Sequence, residues 1–102
     1  MKAQTFTVLH NPTCRELVPD TVQGYLVPGA TAYFVHRPIE EWGKGWKLSH
    51  ISGCSVLTRP TRAAAIAAGQ ACAAAYDKPA VPEGPDLDAL RTVWHTLQHG
   101  GA

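Results

Sequence analysis

The chain has 102 residues, which suits one domain with a core of modest size. It is 45% hydrophobic and 17% charged, a globular composition, and its formal net charge of +1 gives no bulk electrostatic case for a nucleic-acid protein or for an acidic mimic of one. Three cysteines without paired spacing argue against a disulfide framework. No run of about 18 apolar residues is present to span a bilayer, and the opening MKAQTFTVLH lacks the apolar core of a secretory leader, so a cytoplasmic protein without a membrane segment is expected.

In chain order, residues 4–10 alternate, with Phe6 and Val8 on one face and Thr5, Thr7 and Leu9 on the other, which predicts a strand ended by Asn11-Pro12. Residues 13–24 show no clean period. Pro19 and Asp20 suggest a turn, and the stretch reads as a connection closed by Gly24. After the Pro28-Gly29 turn signal, residues 30–36 (ATAYFVH) predict a second strand, stopped by Pro38. Residues 46–51 (WKLSHI) place Trp46, Leu48 and His50 on one face. Ser52-Gly53 reads as a tight turn into CSVLT at 54–58. Residues 30–58 therefore predict a three-stranded antiparallel meander.

Thr61 is a natural N-cap for an alanine-rich helix running to Tyr76, with a face of Ile66, Gly69, Ala73 and Tyr76 widened by Ala65, Ala68, Cys72 and Ala75. Small side chains let such a helix lie close on the sheet. Residues 79–85 (PAVPEGP) read as a stiff linker. Asp86 is expected to cap a last helix with the apolar stripe Leu87, Leu90, Trp94 and Leu97, stopped by Gly100-Gly101. The expected fold is a single α+β domain over residues 1–102.

Charge is uneven along the chain. Arg37, Lys44, Lys47, Arg59 and Arg62 against Glu40 and Glu41 leave the middle at +3, while the segment from Asp77 onward stands at −2. Within EEWGKGWK, the glycines suit a chain reversal, and the ordinary reading has Trp46 packing inward with Trp42 covering the loop base. The functional reading is a gripping surface of Arg37, Glu40, Glu41, Trp42, Lys44 and Lys47, with Trp42 as anchor, because interface energy concentrates in Trp, Tyr and Arg. The spacing is not that of a phosphate-binding P-loop.

His95 and His99 are one helical turn apart and share a face. His10 and Cys14 would complete a zinc site only if the two ends of the chain met, and solvated histidines near a helix end are the ordinary reading, so no metal or other cofactor is expected. His50 and Cys54 are separated by a turn, Glu40 and Glu41 diverge as neighbours, and no nucleophile, base and orienting group line up, so an enzyme is not expected.

WKLSHISG followed by TRAAAIAAGQACAAAYD resembles the sheet and the Ala-Ala-Tyr-Asp helix of the AP2-type DNA-binding domain, which implies a sheet laid in the major groove. The resemblance covers fewer than half the residues, and this sheet carries Ile51, Cys54, Val56 and Leu57 where such readers place arginines. FVHRPIEEWGKGWKLSHISG with the alanine-rich helix is similar in size and style to small accessory proteins of phages and plasmids. That likeness implies a regulator or inhibitor that occupies a larger host protein. The expected function is thus non-catalytic protein binding, by a monomer or homodimer. The alternative is a nucleic-acid module using Arg37, Lys44, Lys47, Arg59 and Arg62 on one side.

Overall fold

The computed structural model describes residues 3–10, 18–38 and 44–99. The strands are β1 (Gln4–His10), β2 (Val18–Leu26), β3 (Tyr33–His36), β4 (Trp46–His50) and β5 (Ser55–Arg59), followed by α1 (Arg62–Ala75) and α2 (Gly84–His99). The strands form a five-stranded antiparallel sheet in sequence order, so the expected three-stranded meander is the C-terminal part, β3-β4-β5, of a larger one.

The added strand is β2, in the stretch expected to be a connection. Pro19 sits beside Leu9 near the start of the strand, where a missing N–H is tolerated, and from there β1 pairs without a break to Gln4↔Gly24. Gly24 is where β2 passes from β1 to β3. A Cβ there would lie 2.8 Å from the Val35 carbonyl oxygen, so only glycine permits the close approach. The Phe6 ring covers the bare backbone and stacks on Phe34, with centroids 4.1 Å apart and planes 4° from parallel. β3 is also shorter than expected. Residues 30–32, after the turn at 28–29, lead irregularly into the strand, and the Thr31 and Ala32 N–H groups donate to the Asp77 carboxylate at 2.8–3.0 Å.

The sheet curls. Leu9 N donates to Gly53 O at 3.0 Å, which joins edge strand β1 to the turn before β5 at the other edge. The concave face buries Val8, Phe34, His36 and Ser49. The convex face carries Tyr33, Val35, Leu48 and Leu57 against Ala65, Ala68 and Cys72 of α1. Thr61 caps α1, its Oγ1 accepting from Ala64 N at 3.1 Å. The buried helix face is Ala65, Ala68, Gly69 and Cys72, with Ile66 and Ala73 at its margin rather than its centre. The sheet selects the smallest side chains: a Cβ on Gly69 would be 2.7 Å from Val27 Cγ2 and 2.9 Å from Leu48 Cδ1.

α2 begins at Gly84, two residues before the expected cap, because Pro85 fits a helical first turn, and Asp86 lies inside that turn. Leu90, Val93, Trp94 and Leu97 pack against the core. Trp94 Nε1 donates to Val56 O at 2.9 Å, and Arg59 Nη2 donates to Leu97 O at 2.6 Å, which ties the helix to β5. Among the described residues, no helix is long and apolar enough to cross a membrane.

Candidate functional site

Gly45 turns the chain into β4 with φ +82°, and its Cα packs so closely on the Arg59 carbonyl that no side chain fits there. This close packing sets Trp46 opposite Arg59 on the convex face, at the end of the sheet where α1 begins. Arg37, Tyr25 and Arg62 converge on Trp46 from the end of β3, from β2 and from the first position of α1. The Arg37 guanidinium lies 5.4 Å from the Trp46 ring centroid. Arg62 lies 5.1 Å from the Tyr25 ring and 5.8 Å from the Trp46 ring. The two rings are 6.2 Å apart and inclined at 48°. The rings are half-buried and both arginines are exposed.

This ladder is a fixed positive surface. Ring faces attract guanidinium groups and hold them without neutralising them. Among the described residues, neither Arg37 nor Arg62 makes an ion pair. Arg62 also stands where the helix dipole is positive, and no acidic residue occupies the first turn of α1. Lys44 is exposed nearby, bordering a shallow depression with Gly45, Thr58, Arg59 and Pro60.

The basic residues singled out in the sequence do not share one side. Arg37, Arg62 and Lys44 gather at this end. Arg59 is committed to the Leu97 carbonyl. Lys47 pairs with His36 and Thr58 on the opposite, concave side of the sheet. Glu40, Glu41 and Trp42 lie outside the described residues, as does Cys14, and so do the side chains of His10 and His99. Among the described residues, no three His, Cys, Asp or Glu side chains gather to hold a metal ion.

The other end of β4 is built from polar bonds. His50 Nε2 lies 2.8 Å from Lys78 O, which can only accept, so Nε2 carries the proton. Nδ1 then accepts from Ser52 N–H at 3.1 Å and from Ser52 Oγ at 2.8 Å. The neutral ring braces the β4–β5 turn. The Tyr33 ring meets it edge-on at 5.4 Å, and the Tyr33 hydroxyl donates to Tyr76 O at 2.7 Å. Burial, with Cys72, Asp77 and Tyr76 nearby, pushes ionisation of that hydroxyl far above its ordinary range. Burial pushes the Cys72 thiol up to about 11, so it is an inert packing group.

Tyr25 has no counterpart in the sequence reading. Its signal was the alternation in VQGYL, hidden by the apparent turn at Pro19-Asp20. No family model, no characterised protein and no solved structure matches this chain.

Proposed function

We propose that this chain is a small non-enzymatic binding protein that docks through the ladder of Arg37, Trp46, Arg62 and Tyr25, with Lys44 beside it, on an acidic patch of a larger protein, and that it regulates or inhibits that partner by occupying it. The observation that carries the reading is the pair of exposed guanidinium groups held on aromatic faces without a carboxylate partner among the described residues. Arginine stacked on Trp or Tyr joins a pre-ordered cation to a large, stiff contact area, the combination in which interface energy concentrates. Carboxylates suit the planar donor fork of each arginine.

Nucleic acid is the weaker alternative on the same surface. Guanidinium groups already lie over Trp46 and Tyr25, on ring faces that would otherwise stack bases. With Arg59 and Lys47 directed elsewhere, the strip has three cations left for phosphates.

The test is capture from host lysate on the immobilised chain, with and without nuclease, beside an Arg37→Glu/Arg62→Glu variant. A discrete protein should survive nuclease and bind the variant at least about a hundredfold more weakly, since like-charge contacts replace attractive ones. Full capture by the variant rejects the surface. Capture abolished by nuclease transfers the surface to nucleic acid.

A further inference from the structure

A cavity opens at the other end of β4, between the β4–β5 turn, the segment around Val81-Pro82 and α2. It holds about 300 Å³. That is twice the ~150 Å³ of an apolar cavity known to take benzene, and it reaches the lower bound of ordinary ligand pockets at roughly 300 Å³. Val56, Val81, Leu87, Leu90 and Trp94 supply apolar walls, and Val81 is 58% exposed at the mouth. The polar lining comes from the turn, where His50 and Ser52 are already bonded to each other. Among the described residues that line it, Arg91 carries the only formal charge, and it makes no ion pair with another described residue.

We propose that this cavity binds a small apolar monocarboxylic acid, its hydrocarbon body against Val56, Leu87 and Leu90 and its carboxylate on Arg91. The walls select an apolar body because they offer it no polar partners and lose water when covered. The guanidinium selects a planar anion that can take two parallel N–H donors. His50 adds no cation, because its ring nitrogens are committed to Ser52 and to the Lys78 carbonyl. One cation balances one negative charge, so a dianionic phosphate monoester would bring a charge that none of the described lining residues meets. The inference is independent of docking at the Trp46 end.

The experiment titrates the full chain with octanoate, octanol and octyl phosphate. It follows tryptophan emission and, by peptide mapping, the rate at which maleimide modifies Cys54, an exposed thiol in the lining. Octanoate should slow modification of Cys54 and bind at least about tenfold more tightly than octanol, as a charge-assisted hydrogen bond provides. Arg91→Gln, a change at an exposed position, should remove that preference and leave octanol binding as it was. Ser55→Phe, at the exposed rim, should weaken both. Equal affinity for octanoate and octanol, an unaltered preference in Arg91→Gln, or unchanged reactivity of Cys54 would overturn the proposal. Tighter binding of octyl phosphate than of octanoate would overturn the carboxylate assignment.

Discussion

At the Trp46 end of β4, cations stand in solvent and lean on half-buried rings. At the His50 end, polar atoms are buried, and the imidazole nitrogens are spent on Ser52 and the Lys78 carbonyl. Trp46 and His50 share the convex face roughly 13 Å apart, at ~3.3 Å per residue. The contrast separates two uses of polar chemistry. Exposed cation–π contacts contribute about 0.5–1 kcal/mol each and leave the charge available to a partner. A buried hydrogen-bond partner, once removed, strands its mate at a cost of about 1–3 kcal/mol. The first arrangement presents a surface, and the second holds the fold.

Gly45→Ala tests how firmly the exposed end is anchored. The position combines φ +82° with no room beside the Arg59 carbonyl, so the substitution should cost about 3 kcal/mol in urea unfolding and shift Trp46 emission. A midpoint unchanged from the parent would mean that the ladder does not depend on that close approach.

His50→Leu probes the opposite end. It leaves Ser52 N–H and the Lys78 carbonyl without their partner and should cost about 2 kcal/mol, while capture through Arg37 and Arg62 persists. Loss of capture with stability intact would erase the division of labour between the two ends.

Arg62→Gln should have the smallest effect on the fold. Its two ring contacts contribute about 1–2 kcal/mol together, and part of that is offset because a cation at a helix N-terminus is disfavoured. Thermal unfolding should therefore move by a few degrees at most while docking weakens. A larger loss of stability would make Arg62 a structural residue.

The elements that were legible in the sequence are those with an undisturbed period. Phe6 and Val8 in β1, the alternation through WKLSH in β4, and Thr61 ahead of α1 each announced themselves locally. β2 did not, because Pro19 and Gly24 serve the hairpin end and the curl of the sheet, and both look like turn residues out of context. The α2 start was misplaced for a related reason: Pro85 reads as linker until it occupies a first helical turn. The candidate surface was half visible. Arg37, Lys44 and Arg62 stood out as cations, but Tyr25 enters only through the pairing of β2 with β3. Whether Arg59 and Lys47 face the same way as the others is decided by strand register and by a bond to a helix 38 residues away.

The two bonds from β5 to α2, at Val56 and Arg59, also bear on how the protein behaves in a crowded solution. β5 is an outer strand with the sequence SVLTR, rich in residues that favour extended pairing. An outer strand without a cover is a template on which a second chain can add. Docked, α2 withholds that template. Each transient lifting of the helix exposes it, so aggregation on storage should grow with concentration and be governed by how often α2 opens rather than by how often the whole fold unfolds.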